Sequence, residues 1–349
     1  MSDQRPIKRP RDDLEQGSAS SRSTQLAIKK SRDLWLHDGN IILVCESTGF
    51  RVHQSVLTLH SLVFKDMFAV GNPDEDKFED CTVVTLPDAA DDILHVLKAL
   101  YFRDYANEDR LDLEVLASLL RMATKYMFSS FRKEIIPRLQ ILFPDTHDTY
   151  ISLERFNRTP VAKLDPKVGI ELGLTCGVPI IIPAALYMCA LRTFMGGKGR
   201  LLSPFDNTTS PSHVAQIRCL RFMSNWSDLM DDVFSSLEGE APWETLEVGY
   251  WKCLNSKDAG ECPGLPLEAK REMETKCRRL TTNVLKRDIM SADTMEEYGI
   301  CSFCKAGVLA YQGELRKKIW DILPKAAGYS DWDALRTEQR RQDALREGS

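Results

Sequence analysis

Five consecutive apolar residues, Ile41-Ile42-Leu43-Val44-Cys45, are bounded by Gly39 and by the turn-forming Ser47-Thr48-Gly49. The segment Asn40 to Glu46 around this run, lying between turn signals, reads as a buried strand. Phe50 to Val52 then returns as the second arm of a hairpin. After His53, the apolar positions Val56, Leu57, Val63, Phe64, Met67 and Phe68 fall on one helical stripe, interrupted near Ser61. Serine is a favoured helix-start residue, so two short helices in succession are expected. Residues 71–80 are polar and read as a loop, followed by a β-branched strand, Thr82 to Leu86, that Pro87 ends. Asp88 is expected to cap the next helix, with Asp91 and Asp92 in the first turn facing the positive end of the helix dipole. Helices Leu113–Tyr126 and Phe131–Leu142 follow. The order defines an α+β unit with a small sheet and surrounding helices.

With 349 residues the chain is long enough for two cores, and the second half reads as mostly α-helical. Its helical patterns are Val168–Leu174, Ile180–Met195, Pro211–Leu237, Glu268–Arg287, Cys304–Leu323 and Trp332–Leu345, with long loops expected at 196–212 and 238–266. The stretch Leu172 to Leu191 runs twenty residues without a charge, the length of a membrane span. Gly173, Gly177, Pro179 and Pro183 divide it into two pieces, each suited to a buried helix, so no membrane association is expected. The division expected is a disordered tail at 1–32, an α+β domain at 33–143 and a helical domain at 144–349. The tail holds the basic clusters Lys8-Arg9-Pro10-Arg11 and Lys29-Lys30-Ser31-Arg32, which are either solvated charge or a nuclear address.

A formal charge of −5 argues against nucleic-acid binding by bulk electrostatics. Ten cysteines, scattered apart from Cys301-Ser-Phe-Cys304, do not form a disulfide framework, and a reducing cytoplasmic or nuclear location follows. Cys301 and Cys304 are spaced to grip one face of a zinc ion, and Cys253 and Cys262 complete a set of four soft ligands. Against this stand the irregular spacing, Cys277 as a competitor, and an apolar stripe after Cys304 in which cysteine packs as a small hydrophobe. Packed free thiols and no cofactor are the expectation, with zinc as the competing reading.

No sequence motif for hydrolase, protease or nucleotide chemistry is present. His53 lacks a nucleophile motif beside it and reads as structural. At seven residues along a continuous helix, His60 would lie ~10 Å away, too far to share a metal. Asp74, Glu75, Asp76, Glu79 and Asp80 read as a solvated acidic loop, and Gly196-Gly197-Lys198-Gly199 as a linker. Trp226, Trp243, Trp251, Trp320 and Trp332 read as core residues.

Phe50-x-x-His53, Val56-Leu57, Ser61-x-x-Phe64, Met67-Phe68, Val84-x-Leu86, Leu100-Tyr101 and Leu116-x-x-Leu119-Leu120-x-x-Ala123 together resemble the BTB/POZ domain. The helical region after it resembles that of uncharacterised fungal BTB proteins. The resemblance implies a non-enzymatic protein-interaction module that homodimerises through its first strand and first helices. The residues expected in the dimer or the fold signature are Leu34, Trp35, Leu36, Asn40, His53, Leu57, Leu59, Ser61, Phe64, Met67 and Phe68. Asn40 stands where many members carry an acidic residue. Some members recruit a cullin-type ubiquitin-ligase scaffold through a hydrophobic-x-Glu element, for which this chain offers Phe78-x-Asp80. The functions implied are a substrate adaptor for such a ligase or a nuclear transcription-associated scaffold. A Cys-based metal or redox protein is the reading from a different class.

Overall fold

The run Ile41–Cys45 is apolar at every position because both faces of the strand it forms are covered. In the computed structural model, Ile41, Leu43 and Cys45 face a large helical core, while Ile42 and Val44 face a second, smaller cluster with Cys81. Trp35, Phe78 and Val83 close that second cluster. The structure describes residues 28–71, 77–102, 105, 112–156, 164–194, 213–237, 250–251, 253, 262–280 and 283–347. The expected linker at 196–199, the loop at 196–212, Lys8–Arg11, the acidic residues 74–76 and Trp243 lie outside these.

Strands β1 (Lys29–Trp35), β2 (Ile41–Cys45) and β3 (Thr48–Val52) precede helices α1 (Gln54–His60) and α2 (Leu62–Val70). Strands β4 (Lys77–Phe78) and β5 (Cys81–Leu86) complete a mixed sheet in the order β1-β3-β2-β5-β4. Hairpin pairing sets Val44 opposite Gly49, and a Cβ on Gly49 would come within 2.4 Å of the Ile28 side chain and 3.3 Å of the Trp35 ring. Glu79 and Asp80 form the two-residue turn between β4 and β5 with φ of 49° and 61°. Positive φ at both positions matches the right-handed twist of a tight hairpin.

Three expectations are corrected at this end of the molecule. Strand β1 starts at Lys29, so residues 29–32 belong to a strand and not to a tail. Their polar sequence hid it, because β1 is held at the sheet edge by parallel backbone pairing with β3. The polar loop proposed for 71–80 contains β4 at its end. Asp88 caps nothing: helix α3 (Ala90–Tyr101) starts after Ala89, and the Asp88 carboxylate is taken by Lys125 and Tyr126.

Helix α4 (Leu113–Lys125) packs on α3 and α5 (Ser129–Leu142) packs on α4, leading into the helical region. This region comprises α6 (His147–Phe156), α7 (Pro166–Thr175), a 3-10 turn (Pro179–Ile181), α8 (Ile182–Phe194) and α9 (His213–Leu237). It continues through strands β6 (Tyr250–Trp251) and β7 (Leu265–Pro266) to α10 (Leu267–Arg279), α11 (Ala292–Glu297), α12 (Ser302–Ala326) and α13 (Trp332–Glu347). The expected helix Glu268–Arg287 stops at Arg279 because Leu280 turns left-handed at φ 49°.

The uncharged stretch Leu172–Leu191 breaks at Gly177, where φ is +64°, and forms the end of α7, the 3-10 turn and most of α8. Ile180 through Leu191 are buried in the helical core. Among the described residues no helix is long and apolar enough to cross a membrane. Trp226, Trp320 and Trp332 are buried, with the Trp226 indole donating to the Cys277 carbonyl at 2.9 Å. Fully buried Gln312 accepts from the backbone N–H groups of Ile289 and Met290 at 2.6 and 2.9 Å, giving this irregular segment the partners that burial denies it.

The two halves share one contiguous buried cluster running from Leu34 to Leu335. Arg132 on α5 is its polar rivet: the buried guanidinium donates to Thr124 Oγ1 at 2.7 Å and the Cys176 carbonyl at 2.9 Å, and pairs with Asp343 of α13 at 3.2 Å. Nearby, α7 lies close enough to the end of α5 that a Cβ on Gly169 would come within 2.6 Å of the Phe143 ring.

Candidate functional site

Around His53, short-range polar geometry joins the hairpin to the first helix. Asn40 Oδ1 accepts from the Gln54 N–H at 2.9 Å and so satisfies a free donor at the start of α1. The His53 N–H donates to Tyr101 Oη at 2.9 Å; its ring meets the same oxygen through Nδ1 at 3.2 Å and Asp38 through Nε2 at 3.3 Å. Asp38 is held below the usual carboxylate range, first by a backbone N–H and then by His53. Burial pushes the Tyr101 hydroxyl above its ordinary value. The ring nitrogens are thus occupied in fastening the turn between β1 and β2, the start of α1 and the end of α3 together.

Ser61 plays a comparable structural part. It accepts from the Phe64 N–H at 3.1 Å to start α2 and donates to the Tyr126 carbonyl at the end of α4. Phe64 is 1% exposed and stacks on Tyr126 with ring centroids 4.7 Å apart; Met67 and Phe68 are half-buried against the same core.

The residues expected to meet a partner divide. Leu34 and Leu57 are buried within the chain's own core, which removes them from any surface a second copy covers. Their strand and helix each have an inward face, and an apolar count alone does not distinguish it from the outward one. Trp35 and Leu36 are half-buried, with Trp35 packed edge-on to Phe78 at 6.3 Å. Phe78 is therefore fixed in β4, while Asp80 is exposed at the turn. Leu59 is 78% exposed, and so are two residues sequence reasoning passed over, Leu62 at 37% and Val70 at 84%. Leu62 could have been found, since it lies off the stripe shared by Val63, Phe64, Met67 and Phe68 on the same helix.

In the helical half, Cys253, Cys262, Cys301 and Cys304 come together, with their four sulfurs all within 4.8 Å of one another. Cys253 follows β6 and Cys262 precedes β7, which pair as a short antiparallel hairpin. Cys301 is the residue before α12 and Cys304 lies in its first turn. The Cys301 N–H donates to Cys262 Sγ at 3.3 Å. Burial opposes ionisation of Cys301, but the Cys304 N–H and the neighbouring thiols outweigh it and bring its pKa down to about 7. Cys304 moves the opposite way, first through burial and then through the same neighbours. The competitor Cys277 stands apart, fully buried with its thiol pushed up to about 12 by desolvation.

A sheet edged by β1 and β4, with helices packed on one face and apolar side chains left exposed on the first helix pair, is the architecture of a protein-interaction module. Residues 30–139 match the family model described as the BTB/POZ domain, so the chain carries a BTB/POZ domain over about a third of its length. No curated protein and no solved structure matches the chain.

Proposed function

We propose that the chain is a homodimeric adaptor, in which the BTB/POZ domain joins two copies and also docks a cullin-type ubiquitin-ligase scaffold, while the helical region selects the protein presented to it. The observation that carries the dimer is the exposure of Leu59, Leu62 and Val70 on α1 and α2. Covering such side chains against their equivalents in a second copy, in a two-fold interface, removes apolar surface from water without altering the core.

Light scattering on the full chain at micromolar concentration is expected to give twice the mass of one chain. Leu59→Asp with Leu62→Asp is expected to give the monomer with its helical circular dichroism unchanged. A monomeric unmodified chain overturns the dimer.

For the ligase role, the exposed β4–β5 turn is the element that supports the reading. Affinity purification is expected to recover a cullin, with recovery reduced several-fold by Asp80→Asn. This change removes the carboxylate and keeps a residue type that tolerates a left-handed backbone. Purification that recovers chromatin proteins and no cullin would favour a transcription-associated scaffold instead.

A further inference from the structure

Two segments far apart in sequence bring four sulfurs to one point, and the spacing discriminates between the explanations. Zinc held by four thiolates has Zn–S distances of about 2.3 Å in a tetrahedron, which sets the sulfur–sulfur edges at about 3.8 Å. Here Cys253 and Cys301 are 3.6 Å apart, Cys262 and Cys304 are 3.8 Å apart, and every pair lies within 4.8 Å. A disulfide would require about 2.0 Å, and two separate disulfides would have no reason to bring all four sulfurs to one point. Packing as small hydrophobes is what Cys45, Cys189 and Cys277 do, each fully buried and none of them in this group. Cys262 and Cys301 differ, since both are partly open to solvent.

We propose that Cys253, Cys262, Cys301 and Cys304 hold one zinc ion in a closed structural site that pins the β6–β7 hairpin to the start of α12. Four protein ligands leave no open position, which makes the site structural rather than catalytic. Among the described residues the hairpin pairs Tyr250 with Pro266 and Trp251 with Leu265, and Pro266 has no N–H to donate. A ladder of that size does not hold itself in water, so the hairpin needs an external anchor. The first turn of the 25-residue α12 supplies favourable electrostatics for the thiolates, because its free N–H groups carry partial positive charge. The Cys301 N–H on Cys262 Sγ is the kind of outer contact that orients a thiolate ligand. Soft, tetrahedral four-sulfur coordination selects zinc or iron, and zinc is the metal with no redox demand on a purely structural site.

The test is metal analysis of the full chain purified under reducing conditions from zinc-supplemented growth. One zinc per chain is expected, falling to background in the double variant Cys301→Ser, Cys304→Ser. Because that variant can lose its fold, the unmodified chain is also stripped with a chelator and refilled with cobalt(II). Four-thiolate coordination then gives strong visible bands of tetrahedral cobalt and a sulfur-to-cobalt charge-transfer band in the near ultraviolet. Clearly less than one zinc per chain without the cobalt bands overturns the proposal. So does stoichiometric iron, or zinc that persists in the double serine variant.

Discussion

Phe64→Ala is expected to lower the unfolding free energy by about 4 kcal/mol, the range for truncating a buried phenylalanine where the surroundings relax only partly. The ring is 1% exposed and sits between Tyr126 at 4.7 Å, Phe68 at 5.7 Å and Phe128 at 6.1 Å, so its removal leaves three aromatic neighbours without a contact surface. Ile141→Ala on α5, 45% exposed and away from the first helix pair, should change stability by roughly 0.5 kcal/mol or less. Urea unfolding of the two variants separates the cases. A Phe64→Ala midpoint close to that of Ile141→Ala would show that the stack contributes little.

Arg132→Met is the second large effect, expected to cost about 3 kcal/mol by leaving buried acceptors without a donor and Asp343 without its partner. The stem of methionine preserves much of the packing, so the measured loss reports on the guanidinium. Lysine should fail to rescue it, because one ammonium cannot reproduce the planar fork that meets Thr124, the Cys176 carbonyl and Asp343 from one position. Asp343→Asn alone should cost less, since Asp343 is one-third exposed and the Cys176 carbonyl keeps its donor. The unmodified chain should unfold in one transition by fluorescence and circular dichroism, and Arg132→Met should split it into two. A single transition in the variant would place the coupling in the apolar contacts instead.

Much of the sheet and of its surrounding helices was legible because local pattern and tertiary role coincide there. The apolar run before the hairpin turn, the return arm at Phe50 and the break at Ser61 are where the structure has them, but Thr48 and Gly49, read as turn, are the first residues of β3 and pair with Cys45 and Val44. Failures occurred where a backbone partner or a distant side chain decides the outcome. β1 is polar along most of its length and exists through its pairing with β3. Asp88 has the chemistry of a cap but is claimed by Lys125 and Tyr126, 37 and 38 residues away. β6 and β7 are two residues each, too short to carry a period, and sit in the stretch 239–266 that composition marks as loop.

The four cysteines show the same limit from another side. Cys301 and Cys304 are visible as a pair, because a helix start brings residues three apart into one turn. Their union with Cys253 and Cys262 is a property of how the hairpin packs, and no spacing rule expresses it. Leu34 and Leu57 fit the apolar surface a dimer needs until the fold shows which way they face.

The buried position of α8 has a bearing on how the chain is made. Its uncharged sequence is covered by α9 and by α12, both of which lie later in the sequence and therefore leave the ribosome after it. Until residues near Leu323 have been synthesised, this uncharged helix has no complete shelter. A chain emerging at roughly 5–20 residues per second would then carry it uncovered for several seconds or longer. Premature termination anywhere between α8 and α12 would leave that surface open for good, yielding a product fit for chaperone capture and degradation rather than a shorter working chain.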